Sequence, residues 1–121
     1  MSLNFNGMNI GGGGGTNSTP AVPDYSKGES LNLPAKPTSS TTGSYTCPND
    51  GYIFIWIIQR ADGGLIRFYV NGEDVMAYTD FTTGNCACNF IPVGKGDILT
   101  VETNVPGESW EIKEQKFYPF K

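Results

Sequence analysis

From Ser44 onward the hydrophobic positions fall in short runs separated by turn residues. Tyr45-Thr46-Cys47 stops at Pro48-Asn49-Asp50-Gly51, a turn by composition. Residues 52–58 read Tyr-Ile-Phe-Ile-Trp-Ile-Ile, aromatic and β-branched without polar alternation. That run predicts a strand covered on both faces. Gly63-Gly64 precedes a third run at residues 65–70, and Asn71-Gly72 turns it straight back into residues 73–78. Asn-Gly between apolar runs is the strongest short-range hairpin signal. A loop at residues 81–84 leads into a strand at 86–93. Gly94-Lys95-Gly96-Asp97 then turns the chain into residues 98–103, where Ile98, Thr100 and Glu102 alternate loosely with Leu99, Val101 and Thr103. Pro106-Gly107 makes the next turn, before residues 109–112 and 115–120. Seven or eight short, closely spaced strands and no helix predict an all-β protein, an antiparallel sandwich or barrel.

Residues 1–43 follow another pattern. They hold half of the 16 glycines and half of the 8 prolines, but only Phe5 and Tyr25 among the aromatic residues. Leu3, Phe5, Met8 and Ile10 are scattered ahead of an uninterrupted run from Gly11 to Gly15, and no helical or strand period follows. This is linker composition. The chain therefore divides into an extended N-terminal attachment arm, 1–43, and a β domain, 44–121. An arm of this kind becomes ordered only against contacts that offset its entropy loss. Its expected anchors onto a partner are Leu3, Phe5, Met8, Ile10 and Tyr25, with Leu31 and Leu33.

At 121 residues the chain is one domain's worth of polypeptide. A body as small as residues 44–121 buries only about 60% of its unfolded surface, so a partner subunit is expected. Eight Lys and Arg against 12 Asp and Glu leave a formal charge of −4. That balance argues against nucleic acid or an anionic membrane as partner. Histidine is absent, which removes the commonest general base and metal ligand. The longest apolar stretch, residues 53–58, falls far short of the roughly 20 residues that cross a bilayer, and no secretory signal is expected at the N-terminus.

Candidate chemistry is sparse. Cys47, Cys86 and Cys88 make an odd count, and a zinc site wants four ligands; reduced thiols packed in the core or an interface are expected. The glycine run lacks the Lys-Ser/Thr pair of a phosphate loop. Asp50, Asp62, Glu73, Asp74, Asp80 and Asp97 sit in or beside loops, where carboxylates could bind calcium or act as a glycosidase pair, but loop acids are usually solubilising. Lys95 reads as a solvated hairpin tip. No catalytic residue, metal site or cofactor is expected, and the protein reads as a non-enzyme. Phe54, Trp56, Phe68 and Tyr69 read as core and subunit interface. Trp110, in the polar stretch Glu108-Ser109-Trp110-Glu111, reads as an exposed aromatic available to a glycan, with Tyr78 as a second surface contact.

Four motifs in order carry a resemblance: Pro48-Asn49-Asp50-Gly51-Tyr52, Val70-Asn71-Gly72, Pro92-Val93-Gly94-Lys95-Gly96-Asp97 and Phe117-Tyr118-Pro119-Phe120. Over residues 44–121 the chain resembles the small jelly-roll domains of bacteriophage fibre, tail and capsid-appendage proteins, which look like the complement globular head and tumour necrosis factor class. The resemblance implies an antiparallel jelly-roll sandwich and a homotrimer with aromatic and aliphatic side chains along its threefold axis. It also implies a structural role in a virion assembled in the host cytoplasm, with the arm docked on a capsid, portal or tail component. The alternative it leaves is a receptor-binding tip that recognises host-surface glycan. No collagen-like repeat precedes the domain, and the acidic calcium cluster of some relatives is not recognisable.

Overall fold

The structure is a computed structural model, and it describes residues 21–62, 64–79, 83–105 and 107–121. A 3-10 turn, η1 (Tyr25–Lys27), is followed by eight strands. They are β1 (Glu29–Ser30), β2 (Ser44–Thr46), β3 (Gly51–Gln59), β4 (Leu65–Val70), β5 (Glu73–Thr79), β6 (Cys86–Val93), β7 (Ile98–Thr103) and β8 (Trp110–Pro119). They pair antiparallel in two four-stranded sheets, ordered β1-β8-β3-β6 and β2-β7-β4-β5. Most connections cross from one sheet to the other, which gives the jelly-roll-like sandwich the sequence predicted. The two runs at residues 109–112 and 115–120 form one strand, β8, whose register against β3 shifts between Trp56 and Ile57. That shift is a bulge on β8, where Lys113 has no partner on β3.

Alternation along each strand fills the space between the sheets. Ile53, Ile55 and Ile57 of β3 are fully buried; beside Trp110, Ile112 and Phe117 of β8 in the same sheet, they form one cluster with Ile66 and Phe68 of β4 and Leu99 and Val101 of β7 in the other. Each such aliphatic side chain contributes roughly 1.5–3 kcal/mol of transfer free energy. Asn71 (φ 52°) and Gly72 (φ 84°) both take positive φ, so the β4–β5 hairpin closes with the two-residue primed turn that its Asn-Gly predicted. Gly51 is fixed by crowding, since a Cβ there would drive into the backbone carbonyl of Tyr118.

Two expectations are corrected. β3 is not covered on both faces: its burial alternates, with Tyr52, Phe54 and Trp56 turned outward and Trp56 38% exposed. The hydrophobic run is continuous because its outward positions are aromatic as well as its inward ones being isoleucine. The division at residue 43 also moves, because residues 21–43 are built into the sandwich. Leu31, Leu33 and Pro37 are buried. Glu29 and Ser30 pair with Phe117 and Lys116, Leu31 N donates to Gln115 O (3.1 Å), and Ile112 N donates to Ala35 O (2.7 Å). Between these, the Gln115 side chain clamps Leu33, accepting from its N at 2.9 Å and donating to its O at 2.9 Å. Linker composition hid this edge because its partners are supplied by β8, far along the chain. Of the expected arm anchors, Leu3, Phe5, Met8 and Ile10 lie outside the described residues, whereas Tyr25 is described below.

Candidate functional site

The outer surfaces of the two sheets differ in chemistry. On the β1-β8-β3-β6 sheet, β3 presents Tyr52, Phe54 and Trp56, β6 presents Phe90, and β8 presents Tyr118. Phe120 and Tyr25 extend the row. The rings meet in mostly edge or tilted arrangements: Phe54 to Phe90 at 4.8 Å, Tyr25 to Tyr118 at 5.1 Å, Tyr52 to Phe120 at 5.6 Å, and Phe90 to Tyr52 at 6.4 Å. Such pairs add about 0.5–1.5 kcal/mol each beyond their burial. Yet Tyr25 is 61% exposed, Phe90 43% and Phe120 39%. Lys113, at the β8 bulge, places its Nζ 6.0 Å from the centre of the Trp56 ring. Contiguous exposed aromatic patches of this kind are characteristic of interaction surfaces.

Local chemistry holds Tyr25 there. Asp24 caps η1, accepting from Ser26 N (3.1 Å) and Ser26 Oγ (2.6 Å), while Asp24 N donates to Pro119 O (2.7 Å). The Ser26 hydroxyl holds the Asp24 carboxyl below its ordinary range. Gly28 lies so close to the Tyr118 ring that a Cβ would collide with it, so η1 can fold down onto β8. Tyr52 Oη donates to Ala21 O at 3.3 Å, which places the start of the described chain at the margin of the same face.

Of the expected core or interface packing of the cysteines, Cys86 and Cys88 do not take the core alternative. They point outward from β6, exposed, with Cys88 opposite Trp56. Cys47 is buried, and burial, with Asp97 nearby, pushes its thiol up to about 11. Among the described residues no three His, Cys, Asp or Glu side chains come together closely enough to hold a metal ion. The loop acids have other work. Asp50 accepts from Lys95 N (2.9 Å), Asp97 from Gly94 N (2.8 Å) and Asn71 Nδ2 (2.9 Å), and Asp62 from Thr83 N (2.7 Å) and Thr83 Oγ1 (2.6 Å). They tie loops to one another. Asp80 lies outside the described residues.

Of the two expected glycan contacts, Trp110 is corrected. Trp110 has no exposed surface and sits at the end of the core, because β8 pairs it with buried Gln59 of β3 and turns it inward together with Ile112. Its polar neighbours misled: Glu111 takes the outward position and binds Arg60 at 2.6 Å. Tyr78 is half-buried against the core, opposite fully buried Ile66.

The outer surface of the β2-β7-β4-β5 sheet is mostly polar, with Ile98 of β7 exposed on it. A groove of about 530 Å3 lies over β7 and the end of β4, lined by Ser39, Thr42, Tyr69, Thr100, Glu102 and Thr103. Tyr69 Oη donates to Glu102 Oε1 at 2.5 Å, and that bond holds the phenol above its ordinary range. Arg67, outward on β4 beside Tyr69, reaches Asp74 at 3.9 Å. Sequence reasoning placed Tyr69 in the core or a subunit interface and passed over Glu102. The loose alternation of Ile98, Thr100 and Glu102 in β7 was the available signal.

No family model and no curated protein matches the chain. Among solved structures, the fold is similar to that of CBM51-2, a carbohydrate-binding module solved in complex with GlcNAc, and INT domains from Clostridium perfringens ZmpB. The TM-score is 0.56 at 11% identity, over 69% of this chain and 21% of that one. A ruminal GH26 endo-beta-1,4-mannanase aligns at a TM-score of 0.39 and 18% identity, over 68% of this chain and 18% of that one. The chain spans about a fifth of the length of these structures. The likeness to the first is one of fold: a jelly-roll-like β-sandwich.

Proposed function

We propose that the protein is a non-enzymatic structural subunit of a bacteriophage virion, a homotrimer closed through its aromatic face and docked on a capsid or tail component by residues 1–20. The observation that carries this reading is the asymmetry of the two sheets. One outer face carries Tyr25, Tyr52, Phe54, Trp56, Phe90, Tyr118 and Phe120, while the other carries mainly hydroxyl and charged side chains beside exposed Ile98. A monomer gains nothing from a displayed aromatic face, whereas closure between copies gives it the burial that so small a sandwich lacks. The motif order shared with phage appendage domains supports the virion assignment, and exposed, unpaired Cys86 and Cys88 suit assembly in a reducing host cytoplasm. Deleting residues 1–20 is the test of docking. The truncated chain is expected to keep its fold and oligomeric state but to be missing from purified particles; incorporation at the wild-type level would refute the docking role.

A second reading, a carbohydrate-binding module for host adhesion, is favoured by the polar groove over β4 and β7 and by the fold shared with a carbohydrate-binding module. Retention of the purified protein on immobilised host-envelope polysaccharide supports it. Elution in the void of such a column refutes it.

A further inference from the structure

Resting on that second reading, we propose that the groove over β4 and β7 binds a neutral hexopyranose of a surface polysaccharide, with Tyr69 as its platform and Glu102, Ser39, Thr42 and Thr100 as its polar contacts. At about 530 Å3 the groove falls within the roughly 300–1,000 Å3 of small-ligand sites.

The groove is pre-formed. Its floor is the β7–β4 ladder, and its wall, the 38–42 turn, is closed on itself and tied to the strand region on either side, at Ser39 and, just past the turn, through Val101 N to Gly43 O (3.4 Å). Ser39 N donates to Val105 O (2.7 Å), Thr38 and Thr41 bond each other through their backbones (3.1 Å each way), and Pro37 is buried beneath. Tyr69 is fixed by its bond to Glu102 Oε1. Little ordering entropy therefore remains to oppose a ligand.

The groups on offer select the ligand. The hydroxyls of Ser39, Thr42 and Thr100 and the Oε2 of Glu102 take no hydrogen bond among the described residues, whereas the Thr103 hydroxyl is spent on Leu65 O at 2.6 Å. The floor strands are the two inner strands of their sheet, which leaves a peptide little free edge on which to add as a strand. A single carboxylate is too few for a divalent cation. Glu102 and Asp74 oppose phosphate and anionic sugars, although Arg67 stands nearby. What remains is a neutral ligand dense in hydroxyls, able to bridge Glu102 and the Ser/Thr hydroxyls while laying its C–H face on an aromatic ring. The end of the groove at Gly72 is open, since a Cβ there would meet nothing within 4 Å, so a chain of sugars can run out past the hairpin.

The full chain, 15N-labelled, is titrated with maltotriose, cellotriose, galactotriose and trigalacturonate up to about 10 mM, tenfold above a Kd of about 1 mM. At least one neutral trisaccharide is expected to shift the amides of Ser39, Gly72, Thr100 and Glu102 saturably, and trigalacturonate is expected to shift none of them. Glu102 is exposed, so Glu102→Ala keeps the fold and is expected to raise Kd at least tenfold; Tyr69→Ala is expected to do the same. Shifts with no neutral trisaccharide, shifts confined to the aromatic face, or an unchanged Kd in both variants would overturn the proposal. Retention on host polysaccharide that survives both substitutions overturns the groove and leaves the adhesion reading standing. Loss of retention by wild-type protein removes both.

Discussion

Replacing Gln115 tests whether residues 29–35 belong to the sandwich. Its side chain gives Leu33 two hydrogen bonds of 2.9 Å in a partly buried setting, with buried Leu31 and Leu33 on either side of the clamp. Each bond is worth about 0.5–1.5 kcal/mol net, and Gln115→Ala also leaves an amide and a carbonyl of Leu33 without their partner. The expected loss is therefore about 2–3 kcal/mol. In urea, with a slope of about 1–3 kcal/mol/M, the midpoint falls by about 0.7–3 M at fixed protein concentration. Gln115→Glu is the finer probe, since it keeps an acceptor for Leu33 N but sets an oxygen against Leu33 O. Ionisation of that Glu is disfavoured in the fold, so its folded pKa lies above the ordinary value of about 4.3. Stability contributed by such a group is present below the ordinary value and lost as pH rises through the folded one. The Glu variant should thus be closest to wild type near pH 4 and weakest at neutral pH. A midpoint for Gln115→Ala unchanged from wild type, or a Glu variant indifferent to pH, would refute the clamp.

Other consequences are as specific. Gly51→Ala forces a methyl against the Tyr118 carbonyl inside a sheet that cannot yield, and thermal unfolding should show a loss of about 1–3 kcal/mol. Burial pushes Tyr45 up to about 12, aided by Glu29, and Cys47 up to about 11. Both fold better in their neutral forms, so urea midpoints should hold below about pH 9 and fall steadily above it, as the unfolded chain ionises first. In a variant made monomeric at the aromatic face, where Cys86 and Cys88 are uncovered, a thiol reagent at pH 8 should modify these two quickly and Cys47 only on unfolding; equal rates for all three would contradict the placement of Cys47 in the core.

How far the fold could be read depended on where each pairing partner lies. The β4–β5 hairpin was legible because Asn71-Gly72 carries its own geometry, and β6 and β7 because turns bracket them. β1 was not, since Glu29-Ser30 has no hydrophobic pattern and is held by β8 and the Gln115 amide, more than eighty residues away. Trp110 was misread from its polar neighbours, although its spacing of two from Ile112 carries the inward alternation. The aromatic face was half legible. The unbroken run through β3 signals two apolar faces, but only the structure separates the isoleucine face inside from the aromatic face outside. The groove drew no attention because Tyr69 and Glu102 meet only through the β4–β7 pairing.

Sedimentation equilibrium of the full chain, with and without Trp56→Arg and Phe90→Glu, tests the central claim most directly. The wild type is expected at three times the 13.1 kDa chain mass at micromolar concentration. The double variant, whose altered side chains are both on the exposed face, is expected to be a folded monomer. A wild-type monomer, or a variant that remains a trimer, would contradict closure through the aromatic face.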